Sequence, residues 1–471
     1  MDIIHISAEC YPAAKAGGLG DVVGALPKYQ KMLGHSASVI MPFYHGKFSR
    51  ENKFSVIFSG FARLGHTNFA FNVLTLDENN LGYDLFMIDI PGLFDRENIY
   101  SYHDDTERFI TFQIATLNWL NQRELMPDII HCHDSQTGFI PFMMSKVREY
   151  SKFEQVPTIF TIHNGQYQGQ FGFDKLFFLP PFHSYFNGLV EWHNLINPLA
   201  SAIKCAWRVT TVSPSYLDEI GYSMKGMEDL LRQERGKSVG ILNGIDADVW
   251  NPATDQMLEQ KYSIKNITEG KAANKEILCK QFNLNPEKPL FTFIGRLVGE
   301  KGADVLPEII YNISKFNPGE QNILVLGSGE KHIENSLLHL ESEFKGSYCS
   351  YIGYNEKLSH LIYAGADFLL MPSRVEPCGL NQLYALRYGT VPIVRRTGGL
   401  RDTVIDIGDG GFGICHDQCS AFDVLHSMQR AKSFYQKKRD FNKIRKQIMQ
   451  IDHSWNKAAQ DYIELYQSLK S

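Results

Sequence analysis

At 471 residues the chain is too long for one ordinary core and fits two domains of similar size. Charged residues make up 21% and the formal net charge is -5, so no basic field exists to hold nucleic acid or an anionic membrane. The start, Met1-Asp2-Ile3-Ile4-His5-Ile6-Ser7, has no basic stretch ahead of an apolar one, and no apolar run approaches the ~20 residues that span a bilayer; a cytoplasmic protein without a membrane partner is expected.

Ile3-Ile4-His5-Ile6 reads as a first strand, and Lys15-Ala16-Gly17-Gly18-Leu19-Gly20-Asp21 as the loop after it. A helix is expected to open near Asp21, to carry Val22, Val23, Leu26 and Leu33 inward, and to end at Gly34. Glycines let this backbone approach a ligand closely, and Lys15 adds positive charge. The loop is not a Walker loop, which needs Gly-Lys-Ser/Thr at its end, and its glycine spacing is not the dinucleotide fingerprint. Gly236-Lys237-Ser238 and Gly327-Ser328-Gly329 fail the same tests, because Leu231 and His332 stand where glycines are required.

Residues 37–41 form the next strand, and 54–58, 69–76 and 83–90 are strand-like runs spaced as a hairpin insertion, with their aromatics expected in the core. Ile129-Ile130-His131 then delivers His133 and Asp134 to a strand end, and Thr158–Ile162 delivers His163-Asn164-Gly165-Gln166 to another. Two polar strand ends on one side of one sheet make a site more readily than either motif alone. The bland alternative is that His163 only hydrogen-bonds a neighbouring loop. The eight cysteines are scattered without a disulfide framework. His131-Cys132-His133-Asp134 cannot all converge on one ion, since adjacent strand residues face opposite ways, and Cys415-His416-Asp417-Gln418-Cys419 has no second cluster at ligand spacing. No metal site is expected.

The polar stretch 233–238 marks a boundary, giving a first lobe of residues 1–238 and a second of 239–454. Strands near 239–242, Leu290–Ile294, 323–326, Tyr348–Ile352, Phe368–Met371 and 391–394 alternate with helical spacing and predict a second parallel sheet. Gly295-Arg296-Leu297-Val298-Gly299-Glu300-Lys301 puts a guanidinium and an ammonium at a strand end, a pair suited to a diphosphate, or a solvated pair beside Glu300. Met371-Pro372-Ser373-Arg374-Val375-Glu376-Pro377-Cys378-Gly379-Leu380-Asn381 joins a buried strand to a helix, so Glu376 and Gly379 lie at a carboxyl strand end, where open sheets bind ligands. A carboxylate beside an anion site suits a neutral polyol or a developing positive charge better than the phosphate. The alternative is that Glu376 caps the helix and Pro377 fixes the turn. The C-terminal stretch from Trp455 is an amphipathic helix candidate.

Lys15-x-Gly17-Gly18-Leu19-Gly20-Asp21, His163-Asn164, Gly240-Ile241-Leu242-Asn243-Gly244-Ile245-Asp246, Trp250-Asn251-Pro252, Arg296 with Lys301, and Ser373-Arg374-x-Glu376-Pro377-Cys378-Gly379-Leu380 occur in one order. That order resembles the family of bacterial glycogen synthases and plant starch synthases, over essentially the whole length. The resemblance implies an α/β fold of two Rossmann-like lobes facing across a cleft (GT-B type), with a C-terminal helix, residues 455–471, returning to the first lobe. It implies a glycosyltransferase moving glucose, with retention, from ADP-glucose or UDP-glucose to the non-reducing end of an α-1,4-glucan, without metal or other cofactor.

By the same resemblance Glu376, His163 and Asp134 stand at the transferred glucose. Lys15, Gly17, Gly18, Asp21, Asn243, Arg296, Lys301, Tyr354, Gly379, Leu380 and Asn381 stand at the nucleotide donor, with Tyr354 against the base. The sequence departs from the family's pattern at Ala16, Ser135, Gly165-Gln166 and Asn381; Ser135 and Gln166 lie where an acceptor would approach. Two other readings stay open: a related retaining transferase using another acceptor such as a sugar phosphate, and a sugar-nucleotide-binding protein without turnover.

Overall fold

The computed structural model describes residues 1–470 and divides into two compact units, Met1–Asn243 together with the chain from Trp455 on, and Gly244–Ser454. Strands of the first unit are β1 (Asp2–Ile6), β2 (Ser36–Pro42), β3 (Phe54–Leu64), β4 (Thr67–Leu76), β5 (Asp84–Asp89), β6 (Ile129–His133), β7 (Thr158–Ile162), the short ribbon β8 (Glu191–Trp192) and β9 (Leu195–Ile196), β10 (Arg208–Thr211) and β11 (Ser238–Gly240). All but β8 and β9 form one nine-stranded sheet, ordered β11-β10-β7-β6-β1-β2-β5-β4-β3. Its pairs are parallel except β3 with β4 and β4 with β5. The central strands β1, β6 and β7 are almost wholly buried, as parallel strands covered on both faces must be, which is why their apolar runs show no alternation.

Three sequence expectations shift here. The boundary expected after residue 238 falls after Asn243, because β11 pairs with β10 and completes the first sheet. The helix opens at Gly18 rather than Asp21 and closes at Met32, and Leu33 is exposed beyond it. Of the aromatics expected in the core, Phe71 and Tyr83 are buried, whereas Phe54 and Phe58 on β3, the outermost strand of the sheet, are only half-buried, as are Phe69 and Phe86.

The C-terminal helix Trp455–Gln467 packs within the first unit. It buries Trp455, Tyr462, Ile463 and Tyr466 against Val22, Leu26, Ile129, Ile159 and Ile241. Large rings withdrawn from water in this way each stabilise the unit by several kcal/mol, roughly 25 cal/mol per Å² of apolar surface.

The second unit holds β12 (Leu290–Ile294), β13 (Asn322–Gly327), β14 (Tyr348–Ile352), β15 (Phe368–Met371), β16 (Val391–Arg395) and β17 (Ile414–His416), all parallel and ordered β14-β13-β12-β15-β16-β17. Counted within this unit the order is 3-2-1-4-5-6, the doubly wound arrangement, in which the chain leaves neighbouring strands β12 and β15 toward opposite faces. The first sheet reverses in the same way between β1 and β6. Crevices at such reversals, beyond the carboxyl ends, are where these folds bind ligands. Among the described residues, no helix is long and apolar enough to cross a membrane.

Candidate active site

In the first unit the reversal is flanked by the loop after β1 and by Asp134 after β6. Glu9, buried at the start of that loop, organises it: the amide N–H groups of Ala16 and Gly17 donate to its Oε2 at 2.6 and 3.0 Å, and the Tyr100 hydroxyl donates to Oε1 at 2.7 Å. Gly17 therefore already spends its amide on Glu9. Lys15 Nζ lies 2.7 Å from Asp21 Oδ1, so these two expected donor residues pair with each other.

The loop's glycines differ in what they permit. A Cβ on Gly24 would sit 2.4 Å from the Tyr11 carbonyl oxygen, a packing requirement, whereas a Cβ on Gly17 or Gly18 would meet nothing within 4 Å. Open space beside a braced loop is what a ligand would use.

Asp134 terminates β6 with φ 58° and ψ 176°, a strained backbone for a residue with a Cβ. Its carboxylate accepts the His163 amide at 2.7 Å as well as that of Asn164, joining the ends of β6 and β7. Desolvation pushes its pKa up to about 7 against those stabilising amides. His163 is buried, its Nε2 lies 3.0 Å from His133 Nδ1, and burial lowers its pKa to about 3. Both are thus brought to one edge of one sheet. Ser135 is buried, so little of its side chain is left for an acceptor to touch.

In the second unit the reversal between β12 and β15 is flanked by Arg296 and Lys301 on one side and Ser373 to Asn381 on the other. Glu376 is 5% exposed. Lys301 Nζ meets both its carboxylate oxygens at 2.7 and 2.8 Å, and the Ser373 hydroxyl donates to Oε2 at 3.0 Å. Lys301, expected on a diphosphate, here neutralises the carboxylate expected on the sugar. Arg296 remains half-exposed, its guanidinium 3.5 Å from Glu300. The Asn381 amide donates to the Ile294 carbonyl at 2.7 Å and ties the loop to the end of β12. Gly379 takes φ 74° just before Leu380 and the helix Asn381–Arg387, and the Tyr354 ring is largely exposed after β14. Asn243, at the end of the first unit, is buried with its Oδ1 unpartnered.

Gly398 fixes the height of this loop. It has φ 44°, and a Cβ there would lie 2.0 Å from the Glu376 carbonyl oxygen, which accepts the Gly399 amide at 3.1 Å. Gly398→Ala is therefore expected to cost ~2 kcal/mol of stability and to displace Glu376, while Gly17→Ala stays within ~0.5 kcal/mol and affects only ligand contacts. Thermal unfolding of the two variants beside their kinetics checks this; equal stability losses would contradict it.

The comparisons with known proteins bear on both units. The family model for the starch synthase catalytic domain matches residues 2–233, and that for glycosyl transferases group 1 matches residues 274–446. The glycogen synthase of Flavobacterium johnsoniae is 56% identical over 466 residues, 99% of this chain and 98% of that protein. The chain belongs to the glycogen and starch synthase family. Within that family the glycogen synthase of Finegoldia magna is 38% identical over 480 residues, covering 100% of both chains. The catalytic domain of starch synthase IV from Arabidopsis thaliana, solved bound to ADP and acarbose, matches with a TM-score of 0.91 and 33% identity over 100% of this chain and 99% of that one. The protein is a glycosyltransferase with the GT-B fold.

Sequence reasoning missed Glu9 and the histidines behind His163. Glu9 lies in no motif, but a carboxylate just after an apolar strand and just before a glycine loop is a readable cue. His131 and His133, two apart on β6, share a face, and strand pairing sets His5 opposite His131. Their ligand atoms lie within 4.8 Å of one another, the metal-like histidine, cysteine or carboxylate cluster found among the described residues. Both ring nitrogens of each already have hydrogen-bond partners in protein, and the His131 and His133 rings stack at 4.2 Å, so their in-plane lone pairs do not converge.

Proposed function

We propose that this protein elongates an α-1,4-glucan in glycogen synthesis, transferring glucose with retention from ADP-glucose, or alternatively UDP-glucose, to the non-reducing end. The observation that carries the reading is the whole-length likeness to the starch synthase solved with ADP and acarbose. The site chemistry is consistent with it. Breaking the glycosidic bond puts negative charge on the departing diphosphate and positive character on the sugar, so fixed cations belong at one end and polarised oxygens at the other. Arg296 and Lys301 serve the diphosphate in this reading, with Lys15, the Gly17-Gly18 loop and Asp21 on the donor side. Gly379, Leu380, Asn381 and Asn243 complete the donor contacts, and Tyr354 lies along the base. Glu376, Asp134 and His163 hold the sugar. Because Lys301 rests on Glu376, an arriving diphosphate competes with that carboxylate for the ammonium. A cytoplasmic setting suits eight cysteines that form no disulfide with one another.

Incubation with labelled ADP-glucose or UDP-glucose and maltooligosaccharides, followed by product sizing, tests the assignment. Products longer by glucose units are expected; label appearing instead in a sugar phosphate would replace the acceptor. With protein cations serving the leaving group, turnover is expected to survive exhaustive chelation. Complete loss with EDTA, restored by Mg²⁺, would reassign the diphosphate to a metal.

A further inference from the structure

Behind His163 a line of buried polar groups runs through the first unit to its C-terminal helix. His163 Nε2 lies 3.0 Å from His133 Nδ1, His133 Nε2 lies 3.0 Å from His5 Nδ1, and His5 Nε2 lies 2.8 Å from Gln30 Oε1. His5, His133 and Gln30 are completely buried. A neutral imidazole carries one donor nitrogen and one acceptor nitrogen, so one fixed end determines every proton along such a line.

The fixed end is Gln30. Its Nε2 donates to the Tyr466 hydroxyl oxygen at 3.3 Å, which turns its carbonyl oxygen toward His5. The same hydroxyl lies 2.6 Å from His131 Nδ1, and His131 Nε2 lies 2.6 Å from Thr161 Oγ1, so His131 packs beside the line without being a link in it. A carbonyl oxygen cannot donate, so His5 bears its proton on Nε2 and accepts at Nδ1. His133 must then donate from Nε2 and accept at Nδ1, and His163 must donate from Nε2. The chain ends with a lone pair on His163 Nδ1.

We propose that Gln30, His5 and His133 are positioning residues that lock His163 as the neutral Nε2–H tautomer, so that Nδ1 meets the ligand only as a hydrogen-bond acceptor. A sugar hydroxyl is then bound as a donor. The relay rests on the reading of His163 as a sugar contact only for its use, not for its existence. Burial supports the neutral chain, holding His5 at about 4 and His163 at about 3 and pulling His131 and His133 well below the ordinary range.

The test is ¹⁵N NMR of the histidine-labelled full chain, with His163→Gln providing the assignment of its ring. Expected in the wild type is a protonated Nε2 and a bare Nδ1 on His163. A protonated Nδ1 there overturns the relay. Gln30→Glu, which keeps an oxygen on His5, should preserve that pattern, whereas Gln30→Met, and Tyr466→Phe through the freed amide, should mix the tautomers. Gln30→Met should also lower kcat/KM for the nucleotide sugar about tenfold, the loss of one well-placed hydrogen bond, while ADP affinity is unchanged. Unmixed tautomers in a folded Gln30→Met protein would overturn the anchoring role. Tautomers that mix while kcat/KM stays constant would uphold the relay and remove His163 from the sugar.

Discussion

Replacing Glu376 by Ala is expected to lower kcat by a factor on the order of 10³ while leaving ADP affinity unchanged or raised. The asymmetry follows from its ion pair. Lys301 lies 2.7 and 2.8 Å from the two carboxylate oxygens, so removing them frees the ammonium for phosphate oxygens. The complementary change behaves differently. Lys301→Ala leaves a carboxylate only 5% exposed with Ser373 as its remaining hydrogen-bond donor in that set, and is expected to cost ~3 kcal/mol of stability as well as ADP affinity. Calorimetry of ADP binding beside steady-state kinetics separates the possibilities. Near-normal turnover in Glu376→Ala would return the residue to a turn-capping role, and a parallel loss of ADP affinity would mean that Glu376 acts only by placing Lys301.

Much of this arrangement is legible in the sequence because parallel strands buried on both faces leave continuous apolar runs, and each of β12 and β15 is followed at once by its polar residues. What was not legible lies where the signal is tertiary. The helix at Gly18 opens on Gly17 without a side-chain cap, so the nearest carboxylate, Asp21, looks like its start. β17 is three residues long, and its Cys415 and His416 read more readily as ligands than as a strand. Phe54 and Phe58 of β3, expected in the core, are only half-buried, because composition does not say which strand ends the sheet. The pairing of Lys301 with Glu376, across 75 positions, and the register that sets His5 beside His131 depend on folds of the chain that no local spacing encodes.

The buried histidines make the first unit acid-sensitive. A histidine held neutral has its folded pKa below the unfolded value of ~6.5, so the unfolded chain takes up the proton first as pH falls. The stability they confer is complete above about pH 6.5 and is lost as the pH drops toward their folded values. With His5 at about 4 and His163 at about 3, each removes roughly 3 kcal/mol by pH 4, a large share of the ~5–15 kcal/mol that a domain possesses. His131 and His133 act in the same sense. Asp134 acts in the opposite one: its pKa is raised to about 7, so the folded form takes up a proton before the unfolded one does, and acidification from pH 7 toward 4 relieves a penalty. Three directions therefore follow from urea titrations run from pH 7.5 to 4. The wild-type transition of the first unit should move to lower urea steeply below pH 6. The second unit, with His416 as its buried histidine of lowered pKa, should move less. Asp134→Asn, lacking the compensating uptake, should lose stability relative to the wild type as pH falls through that range. A midpoint for the first unit that stays constant from pH 6.5 to 4 would mean that its histidines are not held neutral, and a variant curve parallel to the wild type would remove Asp134 from the balance.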